Sequence, residues 1–176
     1  QTSVMINFHT PGIENIKEEA VLVILASYLG SGSKAFLQEK LRHETGLVYT
    51  VSVSNIRYTD AGIFQIRASS SEPVKTIKII FDSLSNFLNN ISPAEIEDTK
   101  ERAINTFDRF NSNPRNEMEF LGQSFILFNS LFEPNNYRKL LSEVTYEDVV
   151  NVGKKYLNRD NSLTAILGPE DIKDKI

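Results

Sequence analysis

The sequence predicts an α+β fold: an antiparallel-rich sheet with helices packed on one face. Three observations carry that prediction. Alternation with period two runs from Tyr49 to Val53 and again from Phe64 to Ala68, on either side of the turn "TDAG". That is the pattern of a hairpin with one buried face. Strand-like alternation also stands near both ends of the chain, in "SVMINF" and "SLTAILG". Between the hairpin and the last strand, apolar residues recur with helical spacing. The order strand, helix, helix, hairpin, several helices, strand fits an α+β layer.

Each element has a local reason. Val4, Ile6 and Phe8 alternate with Met5 and Asn7, and "HTPG" ends that strand. From about Lys17 to Leu29 the chain is apolar on nearly every side, as a helix buried in a core is, and Gly30 stops it. A second helix is expected from Ser33 to about Glu44, with Phe36, Leu37 and Leu41 on one face. Gly46 suits the left-handed position after its last turn. After Pro73 the residues Ile77, Ile80, Phe81, Leu84 and Leu88 keep helical spacing. In "SPAE", Ser92 caps a new helix, Pro93 fits its first position and Glu95 completes a capping box. "NSNP" breaks that helix and starts one carrying Met118, Leu121 and Phe125. A short helix from about Tyr137 to Val144 follows, then one capped by Thr145. No repeat or long linker interrupts the pattern, so residues 1–176 are expected to form a single domain.

Composition narrows the function. Apolar residues are 40% and charged residues 24% of the 176, the balance of a globular chain with a sizeable core. A net charge of −4 argues against nucleic acid as the main partner, because phosphate contacts need a basic surface. The longest apolar run, "AVLVILASYL", falls short of the roughly 20 residues that span a bilayer. With no cysteine, disulfides and thiolate metal sites are excluded, while the compartment stays open: cytoplasm, periplasm or mitochondrial matrix. The chain begins at Gln1 and reads as a piece of a longer polypeptide.

Three familiar chemistries fail on spacing. In "GSGSK" the lysine follows a serine and precedes alanine, so the phosphate-loop pattern is broken. "RHE" starts an H-E-x-x-H, but Leu47 stands where the second histidine belongs, and the only other histidine is His9. No G-x-S-x-G elbow is present. This leaves Arg42 near a helix end and Tyr49 at a strand start, with Gly46 letting the chain fold back between them. Such a turn can bring a guanidinium and a phenol onto one rim, where their donors can hold peptide carbonyls. The same spacing also suits a surface arginine and a half-buried strand tyrosine.

The stretch "YLGSGSKAFLQEKLRHETGLVYTVSVS" resembles the glycine-rich turn, Leu-x-x-x-Leu-Arg helix and Gly-Leu-x-Tyr-x-Val strand of the pitrilysin/insulinase family of zinc metallopeptidases. "YTDAGIFQI" and "ISPAEIEDTKERAINTF" resemble the hairpin and later helix of its C-terminal-type half-domain, the fold shared by the mitochondrial processing peptidases. In that family two homologous halves face each other. One holds zinc through H-x-x-E-H and a later glutamate; the other contributes an Arg–Tyr pair that binds substrate backbone.

Carried onto this chain, the resemblance implies that Arg42 and Tyr49 are the substrate-binding pair. It also implies that no catalytic or metal residue lies here and that zinc belongs to the partner half. The zinc would polarise the scissile carbonyl and supply hydroxide, and donors from the facing wall would steady the peptide, which pairs with a sheet edge of the zinc half. The implied partners are a peptide substrate and a homologous zinc-binding half, with self-association through the face meant for that half. Two other classes stay open: a non-proteolytic core subunit of the same fold, and an unrelated α+β binding domain.

Overall fold

The computed structural model describes residues 2–32 and 35–169. Its strands are β1 (Thr2–Pro11), β2 (Val48–Arg57), β3 (Ala61–Ser70) and β4 (Ser162–Leu167). All neighbours pair antiparallel, in the order β2-β3-β1-β4. The hairpin is β2–β3, and the strand patterns near the two chain ends meet as β1 and β4. Helix α1 (Ile16–Gly30) separates β1 from α2 (Phe36–Gln38). Beyond the hairpin come α3 (Pro73–Asn90), α4 (Pro93–Asn111), α5 (Pro114–Phe128), α6 (Pro134–Glu143) and α7 (Tyr146–Tyr156).

The sheet separates two surfaces by the two-residue alternation of its strands. Val4, Ile6 and Phe8 are buried beneath the helices, together with Phe64, Ile66 and Val51. Phe8 meets Phe64 and Phe81 edge to face, with centroids 6.4 and 6.1 Å apart. Aromatic rings favour that geometry because the edge of one faces the electron-rich face of the other. On the opposite surface Ser3, His9, Ser52, Ser54 and Arg67 are exposed.

Capping follows the sequence closely. Ser92 accepts from the Glu95 amide, and the Glu95 carboxylate accepts from the Ser92 amide at 2.9 Å. The Ser92 hydroxyl and amide hold that carboxyl below its ordinary pKa. Thr145 and Asp148 form a second capping box at the head of α7.

Two expectations need correction. The second helix is α-helical only over Phe36–Gln38 and then widens into a π-helix over Glu39–Glu44; Ser33 and Lys34 lie outside the described residues. And α1 is not apolar all round, since Glu19 is buried within it at 1% exposure. Its carboxylate accepts from Arg57 at 2.6 Å and from the Tyr137 hydroxyl at 3.0 and 3.2 Å. That trio ties α1, β2 and α6 together. Burial opposes the Arg57 charge, but the Glu19 carboxylate outweighs it and raises the guanidinium's pKa. The Tyr137 hydroxyl is pushed up by burial and then by the Glu19 charge.

Candidate functional site

The segment carrying Arg42 is anchored from below. Phe36 lies among Tyr28 of α1 and Phe87 of α3, with centroids 5.6 and 5.7 Å away, and Leu37 and Leu41 are fully buried. Burial of those side chains turns Arg42 and His43 outward. In the π-helical stretch one extra residue is accommodated per turn, a rare widening that often marks functional sites. Lys40 pairs with Glu44 at 2.7 Å on the same segment.

The chain then reverses. Gly46 has φ of +63°, and its amide donates to the Arg42 carbonyl at 3.2 Å. The Leu47 amide reaches the Leu41 carbonyl at 3.0 Å. At the start of β2 the register slips: Val48 faces Ser70 and Thr50 faces Ser69, so Tyr49 has no partner. This is a β-bulge, which re-aims a side chain. Strict alternation would put Tyr49 on the same face as Val51. The bulge instead leaves it 68% exposed while Val48 and Val51 stay buried.

As a result the Arg42 guanidinium carbon stands 5.6 Å from the Tyr49 ring centroid, within cation–π range. Among the described residues neither side chain is held by an ion pair or hydrogen bond. The two residues singled out from the sequence therefore meet on an exposed rim. The pair offers five guanidinium N–H groups and one phenolic O–H, all on side chains open to solvent.

Gly46 supplies a test of how the rim is built. A Cβ there would meet no atom within 4 Å, and the same holds at Gly122 in α5. Of these two, Gly46 alone has positive φ. Gly46→Ala is expected to destabilise by about 1–2 kcal/mol. Gly122→Ala is expected to stabilise by about 0.5–1 kcal/mol, because alanine is the better helix former. Denaturant midpoints of the two variants check the opposite signs.

Among the described residues no group of three or more His, Asp or Glu is placed to hold an ion. His9 is exposed on β1 opposite Ile63, which pairs with Ile56. That rung lies six residues along β2 from Thr50, about 20 Å at strand spacing. His43 sits exposed at the other end, beside Arg42, so the two histidines cannot share a zinc whose bonds are about 2 Å long.

At the Tyr49 end, the open sheet surface holds a groove of about 500 Å³ lined by Met5, Thr50, Ser52, Arg67, Ala165 and Leu167. Leu167 exposes apolar surface there, and Leu163 does so four residues earlier on β4. A second apolar group, Met118, Phe125 and Ile126, stands on α5. Other residues of α5 pack near Arg57 at the far end of β2. No helix among the described residues is long and apolar enough to cross a membrane.

The sheet order β2-β3-β1-β4 and the helices packed on one face define a class: an α+β domain built on a four-stranded antiparallel sheet. Residues 1–103 match the family described as the peptidase M16 inactive domain, and the chain belongs to that family. It is 24% identical over 175 residues to a protein of Rickettsia felis named as a zinc protease, covering 98% of this chain and 42% of that one. It is 22% identical over 178 residues to the mitochondrial-processing peptidase subunit alpha-2 of Dictyostelium discoideum, covering 94% and 39%. The crystal structure of the peptidase M16 inactive domain from Pseudomonas fluorescens superposes with a TM-score of 0.81 at 22% identity, covering 96% and 40%. The chain thus spans about two fifths of the length of these relatives.

Proposed function

We propose that this chain is the substrate-binding, non-metal half of a zinc metalloendopeptidase, cleaving peptides together with an H-x-x-E-H half on the same polypeptide or a partner chain. One observation carries the reading: Arg42 and Tyr49 are exposed, uncommitted and 5.6 Å apart. Three backbone features confined to residues 39–50 create that arrangement: the π-helix, the positive-φ glycine and the bulge.

In this reading the planar guanidinium fork of Arg42 donates to a carbonyl of an extended peptide, and the Tyr49 hydroxyl adds a donor beside it. Stacking over the ring limits the swing of the arginine side chain, so less freedom is lost when substrate arrives. The facing half would supply the zinc. The groove and the apolar residues of β4 support a partner on the open sheet surface, since contiguous exposed apolar surface commonly marks an interaction site.

The test is where the zinc resides. The complete protein is expected to hold one zinc per H-x-x-E-H motif after dialysis, and residues 1–176 expressed alone to retain none and cleave nothing. Stoichiometric zinc coordinated by side chains of residues 1–176 would overturn the assignment.

A further inference from the structure

The helical segment bearing Arg42 and the strand bearing Tyr49 are joined in sequence only through the turn at Thr45–Leu47. Buried Leu37 and Leu41 hold the segment down, but apolar contacts are non-directional and do not fix how it slides along β2. The turn's backbone bonds, from the Gly46 and Leu47 amides to the Arg42 and Leu41 carbonyls, hold the segment's end, and one side-chain bond ties its body to β2 itself. Gln38 lies one turn before Arg42, and its Nε2 donates to the Val51 carbonyl at 3.0 Å, two residues beyond Tyr49. Among the described residues this is the one side-chain hydrogen bond between residues 36–44 and β2. Because β2 is an edge strand, the amide supplies a donor of the kind a neighbouring strand would give.

The other end of the same amide is costly. Gln38 Oε1 is buried and has no hydrogen-bond partner among the described residues, a state that disfavours folding by about 1–3 kcal/mol. A methionine of similar length would fill the space without that penalty. The contribution of glutamine at this position therefore lies in the Nε2 bond.

We propose that Gln38 is a positioning residue for the Arg42–Tyr49 pair: its bond to the Val51 carbonyl sets the register of the Arg42 segment on β2 and keeps the guanidinium over the ring. The inference rests on the reading that this pair engages substrate.

A double-mutant cycle in the complete two-half protein tests it, with two readouts. Gln38→Met is expected to lower kcat/KM for a peptide substrate roughly tenfold, the scale of a small misplacement of a binding group. In an Arg42→Ala background the same change is expected to have no further effect, because there is no guanidinium left to misplace. The second readout uses ring-labelled tyrosine. The Tyr49 signal, assigned with Tyr49→Phe, is expected to shift in Gln38→Met toward its position in Arg42→Ala. Gln38→Asn, too short to span the gap, should repeat both results and serves if the methionine variant folds poorly.

Equal losses with and without Arg42 would make Gln38 a general stabilising residue and overturn the proposal. So would wild-type kinetics and an unmoved Tyr49 signal. If Arg42→Ala itself leaves kinetics unchanged, the substrate-binding reading fails instead. The ring signal then decides whether Gln38 positions the pair at all.

Discussion

Arg42→Ala in the complete two-half protein is expected to lower kcat/KM for peptide cleavage by ~100-fold, the usual loss when one donor to a developing oxyanion is removed. Tyr49→Phe, which deletes only the hydroxyl, is expected to fall in the same direction. Folding and zinc content should be untouched, because both side chains are exposed and neither is held by an ion pair or hydrogen bond among the described residues. The partition of the loss reveals the role. A fall in kcat marks a donor that acts in the transition state. A rise in KM at constant kcat marks one that grips the bound peptide throughout. Steady-state kinetics on both variants, with zinc analysis and melting curves alongside, supply the check. Unchanged constants in both variants would leave the pair as ordinary surface residues.

Glu19→Ala is expected to have the largest effect on stability. It strips the buried carboxylate from Arg57 and Tyr137 and leaves a guanidinium and a hydroxyl without their shared acceptor. Breaking a buried pair by removing one partner costs about 3–5 kcal/mol. The Arg57 side chain is 28% exposed and recovers some hydration, so the lower end applies. About 3 kcal/mol corresponds to a drop of roughly 6–12 °C in Tm for a domain of this size. Replacing the trio together, as Glu19→Leu, Arg57→Met and Tyr137→Phe, is expected to restore most of the loss, since no polar group is then stranded. Thermal unfolding of the single and triple variants decides. A near-wild-type Glu19→Ala would show that water or rearrangement satisfies Arg57.

Local chemistry was legible in the sequence because its signals are local. Ser92, Pro93 and Glu95 sit within one turn and cap as their spacing demands. The β2–β3 hairpin follows from alternation around "TDAG", and Gly46 takes the left-handed conformation that its place after a helix requires. What escaped depends on distant partners or on backbone irregularity. Glu19 and Tyr137 are 118 residues apart, and a lone acid in an apolar helix reads as solvated until the arginine that neutralises it is known. Hydrogen-bond geometry, not composition, makes "EKLRHE" a π-helix. No side-chain pattern reveals the bulge at Tyr49, since period two predicts the opposite face for that residue. For the pair itself, sequence spacing allowed two readings. Folding brings the side chains to 5.6 Å and exposes the ring, which excludes the half-buried tyrosine.

Contact between substrate and this rim can be measured directly by photo-crosslinking. A benzophenone amino acid placed at position 49 of the complete protein, with the zinc half inactivated so that peptide is bound and not cleaved, samples what touches the rim. Position 58 is the control. Tyr58 is also exposed, but it lies just past the far end of β2, roughly 30 Å away at strand spacing. Peptide attached at position 49 and not at 58, and competed away by unlabelled peptide, is the predicted result. Equal labelling at the two positions, or none at 49 under conditions where the protein binds peptide, would contradict a substrate-binding role for Arg42 and Tyr49.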